Sequence, residues 1–125
     1  MSPEELIDRY CRAWSDPDPR ERKAVLAGVW AEGAVYVDPR VHASGVIELL
    51  DHIERVQAQR PGAQVLRTSR VDVHHHVGRF TWHVQLPDGS TLPEGIDFVE
   101  LSADGQQIRR VVGFFGSLEL SASDA

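Results

Sequence analysis

Polar residues standing where the pattern calls for apolar ones are the first candidates for chemistry in this sequence. Tyr10 falls on an apolar helical stripe between Ile7 and Trp14. A tyrosine is an acceptable core residue when its hydroxyl finds one partner, and the same hydroxyl facing a cavity is a hydrogen-bond donor. Asp38 closes an apolar run immediately before Pro39. Asp-Pro is a common turn opener, whereas a carboxylate at a strand end facing a pocket can act as a base. Asp97 stands in the middle of Gly95-Ile96-Asp97-Phe98-Val99, a strand context that disfavours aspartate. On a sheet with one covered face it is either solvent-facing or buried with a raised pKa.

Other chemistries find less support. His74-His75-His76 invites a metal, with His74 and His76 on one face of a strand and His75 on the other. No third ligand at metal spacing accompanies them, so the expectation is a polar sheet face or subunit contact and no metal. Phosphate-binding glycine loops and Gly-x-Ser-x-Gly are absent. The single cysteine, Cys11, lies in the helical stripe and reads as a buried, inert thiol. Acid–base and hydrogen-bond chemistry remain.

The chain around these residues has 125 residues, with 13 Lys+Arg against 19 Asp+Glu and a formal charge of −6. That length suits one domain, expected over residues 1–116 with a polar tail over 117–125. The acidic balance argues against nucleic acid or an anionic membrane surface as partner. With no long apolar run and a charged N-terminus, a cytoplasmic protein is expected.

Ser2-Pro3-Glu4-Glu5 reads as a capping box opening a helix lined by Leu6, Ile7, Tyr10, Cys11 and Trp14. Asp16-Pro17-Asp18-Pro19 breaks it and restarts a second helix lined by Val25, Leu26, Val29 and Trp30, ending near Gly33. A short strand over Ala34–Val37 stops at Asp38-Pro39, and a loop follows. Ser44-Gly45 then opens a third helix with Ile47, Leu49, Leu50, Ile53 and Val56 on its apolar face. The remainder reads as strands over about 64–77, 79–86, 90–101 and 107–116, punctuated at Gly78, Pro87-Asp88-Gly89 and Asp104-Gly105. Three helices before an antiparallel meander make an α+β plan, with a cone-shaped pocket between helices and curved sheet.

This order, with Tyr in the opening helix, Tyr-Val-Asp-Pro, Gly-Ile-Asp-Phe and a closing Gly-Phe-Phe-Gly, resembles the nuclear transport factor 2-like superfamily. Within it the chain is most similar to the SnoaL-like and ketosteroid isomerase-like branch, over about residues 3–116. The resemblance implies a cystatin-like cone, three N-terminal helices packed on a strongly curved, mainly antiparallel sheet. It also implies a homodimer formed through the exposed sheet face. In ketosteroid isomerases a helix-one Tyr and a protonated mid-strand Asp form an oxyanion hole, while an Asp at the first strand's end moves the proton. Tyr10, Asp97 and Asp38 fall at those motifs. The third-helix Tyr of those enzymes is missing; the stretch reads Asp51-His52-Ile53-Glu54, so that network is incomplete or rebuilt through His52.

The polyketide cyclases of the branch suggest a His and an Asp on neighbouring strands, here His83 and Asp97. Register decides between the two arrangements. A two-residue Asp88-Gly89 turn pairs Phe80 with Asp97 and points Trp82 and Val84 into the pocket, while a three-residue turn brings His83 to the face of Asp97. The apolar row Phe80, Trp82, Val84 and Leu86 favours the first. Val99, Gly113 and Phe115 would then line the pocket, with Trp14 over it.

The resulting expectation is a cofactor-free enzyme moving a proton alpha to a carbonyl of an apolar small molecule, as isomerase or polyketide cyclase. The alternative is a non-catalytic binding module with the same pocket. An epoxide hydrolase ranks third, since its Asp-Arg-Asp arrangement is not evident.

Overall fold

Ser2 caps the first helix as the sequence suggests, its Oγ accepting from the Glu5 amide at 3.1 Å. In the computed structural model, which describes residues 1–122, helix α1 runs Pro3–Ser15 and α2 runs Pro19–Val29. Asp18 caps α2 through the Arg20 amide. Buried Arg22 braces the kink between them, donating to the Asp16 and Pro17 carbonyls at 2.8 and 3.2 Å. Helix α3 spans Gly45–Gln59. Its inner face is Leu49, Ile53 and Gln57, at the i, i+4, i+8 spacing of one stripe. Ile47 points the other way and is 73% exposed, correcting the expectation that it belongs to the apolar face.

The strands among the described residues are β1 (Trp30–Asp38), β2 (Val41–Ser44), β3 (Gln64–Arg67), β4 (Asp72–His74), β5 (Val77–Gln85), β6 (Gly95–Leu101) and β7 (Ile108–Phe115). They form one sheet in the order β2-β1-β7-β6-β5-β3, with β4 also on β5. Among the described residues only the β1–β7 pairing is parallel. The three helices and this mixed, mostly antiparallel sheet make the α+β cone. Leu6, Ile7, Leu26, Val29, Leu49, Ile53, Phe80, Val99, Ile108 and Val111 fill the space between the layers. Each such side chain stabilises the fold by about 2 kcal/mol. No helix among the described residues is long and apolar enough to cross a membrane.

Several boundaries differ from the sequence reading. Trp30 caps α2 and opens β1, so the strand begins four residues early and passes a register irregularity before Val35. The segment read as a loop after Pro39 contains β2, four residues of which only Ala43 is buried, too short to show a period. The run 64–77 is two strands, and its turn lies at His75-His76 with φ of 49° and 64°, not at Gly78. His74 and His76 therefore do not share a strand face. Gly78 is inside β5, buried against Val73 and Val99.

The β5–β6 hairpin pairs Phe80 with Asp97, as expected, but not through a two-residue turn. The Leu86 amide donates to the Ser90 carbonyl and the Leu92 amide to the Val84 carbonyl, which encloses a three-residue tip. One extra residue between Leu92 and Gly95 restores the register before Trp82 meets Gly95. Of the tail expected over 117–125, residues 117–122 are exposed and 123–125 lie outside the described residues.

Gly95 sets how closely the indole of Trp82 crosses β6. A Cβ there would lie 2.7 Å from Trp82 Cε2 and 2.8 Å from the Phe114 carbonyl oxygen. Gly95→Ala should therefore destabilise the protein by roughly 1–3 kcal/mol and shift the tryptophan emission. Urea unfolding checks this, and no change in midpoint would show that the ring has room to move.

Candidate active site

The concave face of the sheet and the inner faces of α1 and α3 enclose a cavity of about 660 Å³. Its walls are apolar: Trp14 from α1, Val56 from α3, Val65, Trp82 and Val84 from β3 and β5, and Phe115 from β7. The helical wall is tied to the sheet by Gln57, whose Nε2 donates to the Trp14 and Ala63 carbonyls at 2.6 and 3.0 Å. Ser15 adds a second tie, its Oγ accepting from the Val65 amide at 2.9 Å.

Asp97 forms the floor, 5% exposed, on β6 between Phe80 and Gly113 of the flanking strands. Trp82 Nε1 donates to its Oδ1 at 2.8 Å. Its Oδ2 has no hydrogen-bond partner among the described residues. Of the two sequence alternatives, the buried one holds. Burial, reinforced by the nearby Asp38 charge and opposed by the Trp82 hydrogen bond, pushes its carboxyl up to about 7. Such a group exchanges its proton near neutral pH.

Asp38 ends β1, where it both holds a turn and faces the cavity. Its Oδ1 accepts from the Arg40 and Val41 amides at 2.8 and 3.2 Å, which holds the β1–β2 turn. Its Oδ2 accepts from the Tyr36 hydroxyl at 2.6 Å and faces His52 Nε2 at 3.9 Å. The side chain is only 3% exposed, yet it lines the cavity. Burial lowers the His52 pKa, against the opposing pull of Asp38, and Arg55 and Arg40 lower it further. The imidazole is thus held toward its neutral, proton-accepting form. Burial first, then the hydrogen bond to Asp38, raises the Tyr36 hydroxyl.

Gly113 allows these groups to converge. A Cβ at that position would lie 2.9 Å from Asp97 Oδ1, 3.6 Å from Asp38 Cβ and 3.7 Å from the Tyr36 hydroxyl. Gly113 is therefore packing space under the floor and not cavity wall, contrary to expectation. Val99 likewise lies deeper, in the core, while Trp14, Trp82, Val84 and Phe115 do line the cavity. His83 does not reach it: it alternates with Trp82 and Val84 onto the other face of β5. The histidine beside the carboxylates is His52 of α3.

Tyr10 borders the cavity, but its hydroxyl is buried and makes no hydrogen bond among the described residues. Its ring stacks on Trp30 at 5.9 Å and meets Trp14 edge-on. Burial, then the Asp97 charge, raises its phenol. The tyrosine that engages a carboxylate is Tyr36, which the sequence reading passed over. The available signal was spacing: Tyr36 and Asp38 are two apart on one strand and so share a face. Among the described residues no group of three or more His, Cys, Asp or Glu side chains could hold a metal ion. Burial raises the Cys11 thiol, away from the nucleophilic thiolate.

No protein-family model matches the sequence. No curated protein matches it significantly. Solved structures do. A proposed isomerase of the SnoaL-like family from Agrobacterium tumefaciens is 30% identical, superposing with a TM-score of 0.85 over 94% of this chain and 100% of that one. The chain belongs to the SnoaL-like family. This SnoaL-like protein also shares its fold with more distant structures. One is a Catenulispora acidiphila protein with a ketosteroid isomerase-like fold in complex with trimethylamine, at 13% identity and TM-score 0.70, covering 90% of this chain and 85% of that one. Another is a proposed SnoaL-like polyketide cyclase from Jannaschia, at 12% identity and TM-score 0.68, covering 90% and 83%.

The Asp97 environment makes a linkage prediction. With its carboxyl raised from 3.8 to about 7 in the fold, Asp97 favours folding below the unfolded value. That contribution is lost as pH rises through about 7. Asp97→Asn keeps an acceptor for Trp82 and removes the ionisable group. The variant should gain on the parent as pH rises from 5 to 8, by on the order of a few kcal/mol at the upper end. Denaturant midpoints for both proteins across that range check the sign. A stability difference independent of pH would show that Asp97 titrates as an ordinary carboxyl.

Proposed function

We propose that the cavity is an acid–base active site that moves a proton at the carbon next to a carbonyl group of an apolar small molecule, in an isomerase or cyclase type of reaction. The observation that supports it above all is Asp97, a buried carboxyl at the foot of an apolar cavity, anchored through one oxygen and unengaged at the other. Proton removal next to a carbonyl builds negative charge on oxygen, which a donor already in place stabilises better than one that must reorganise. Protonated Asp97 serves as that donor through Oδ2. Asp38, with His52 beside it, takes the proton and returns it to another carbon, while Tyr36 holds the carboxylate in position. Tyr10 stacks and shapes the wall in this reading, and its hydroxyl is not needed at the substrate.

A second reading, a binding module without turnover, draws on Asp38 itself. Two of its hydrogen bonds hold a turn, work that a structural aspartate would do equally well. Deuterium incorporation into β-tetralone in D₂O, followed by proton NMR, separates the two. The protein should accelerate exchange, and Asp97→Asn and Asp38→Asn should each slow it by about 10²–10⁴-fold. The rate should fall as pH rises through about 7, where Asp97 loses its proton. Saturable binding with no acceleration over buffer would favour the binding module, and exchange unaffected by both variants would overturn the acid–base reading.

A further inference from the structure

Charge is sorted along the depth of the cavity. The two carboxylates that line it, Asp38 and Asp97, are both withdrawn from solvent at its floor. The three arginines that line it, Arg40, Arg55 and Arg60, are all exposed at its mouth. Among the described residues no other acidic side chain borders the space. This cationic rim belongs to a chain with a formal charge of −6, so it does not simply follow from composition. None of the three forms an ion pair among the described residues, where the arginine pairs are Arg12–Glu21, Arg67–Asp8 and Arg79–Asp72.

Local structure places each of these arginines at the cavity. Arg40 sits in the turn that Asp38 anchors, with its Cζ 5.5 Å from the centroid of the Phe115 ring on the cavity wall. Arg55 lies three residues beyond His52 on α3, on the same helical face. Both guanidinium groups also lower the pKa of the His52 imidazole, which lines the same cavity. Arg60 is the C-cap residue of α3, where a cation also offsets the helix-end carbonyls, so Arg40, packed over Phe115, and Arg55 are the two rim arginines without a helix-end role. Cations over low-dielectric walls focus the field into the opening and match planar oxyanions through paired N–H groups.

We infer that the ligand of this site is amphipathic: an apolar body occupies the cavity, and an anionic oxygen group, carboxylate or phosphate, stays at the mouth against Arg40 and Arg55. The inference rests on the proposed acid–base site for the placement of the body, but not for the chemistry of the outer end.

Titration calorimetry with a series of naphthols tests it: a hydroxynaphthoate, its methyl ester, the aminomethyl analogue and the phosphate analogue, each with its phenol free to meet Asp97. At low salt the carboxylate or the phosphate should bind about tenfold or more tighter than the ester. The better of the two names the group, and the amine should bind weakest. The double variant Arg40→Gln, Arg55→Gln should reduce the anion to the affinity of the ester and leave the ester unchanged. High salt should weaken the anions alone. Anion and ester of equal affinity, or an anion preference indifferent to the double variant, would overturn the inference while ester binding that responds to Asp97→Asn keeps the acid–base reading. An arginine-dependent anion preference with no response to Asp97→Asn would do the reverse. No binding by any member would overturn both.

Discussion

A carboxyl group taken out of water survives in a folded protein only if its charge is suppressed or if protein donors replace the lost solvent. The two acidic groups of this cavity meet that constraint in opposite ways. Asp38 receives a phenol and two backbone amides. Asp97 receives one indole N–H and is buried. Burial, with the charge of nearby Asp38 added to it, pushes the Asp97 carboxyl up, while Asp38 has three protein donors in place of water. The difference between a carboxylate supplied with donors and one left with a single donor is set by packing. Much of the surrounding structure can be understood from it: the bare backbone at Gly113, the indole laid over Gly95, and the turn that folds its amides onto Asp38.

Those features were unequally visible in the sequence. Helix starts were legible because capping is local: Ser2 and Asp18 mark them by residue type alone. Asp97 stood out because a mid-strand aspartate breaks a period, and a broken period is a signal. What escaped depended on contacts between distant segments. Arg22 and Gln57 look like surface residues until their donors find carbonyls at a helix kink and between helix and sheet. Tyr36 was hidden for the opposite reason, since an aromatic in a strand satisfies the pattern and draws no attention. His52 was noticed only as a substitute for a missing tyrosine, because helical spacing shows which face a residue occupies but not what that face meets across the core.

Membership of the SnoaL-like family accounts for the cone and does not by itself supply the chemistry, because a scaffold of this kind hosts several reactions. The division of labour within the fold is nonetheless clear. Central strands β1, β6 and β7 supply the floor, so its geometry is held by paired backbone. The mouth is furnished by a turn, the end of a helix and the segment after it. The carboxylates thus sit on paired strands, and the rim arginines sit on the turn, the helix end and the segment after it.

The β5–β6 hairpin extends that division. Its three-residue tip is out of phase with the strands it joins, and the extra residue before Gly95 returns the phase before the floor is reached. The connection from Leu86 to Glu94 thus acts as a phase buffer. A lengthened or shortened tip need only be matched within the same short segment for Asp97 to keep facing inward. Leu92 and Pro93, which lie on the cavity wall, belong to this segment. Insertions there would reshape the cavity wall without inverting the strand that carries Asp97.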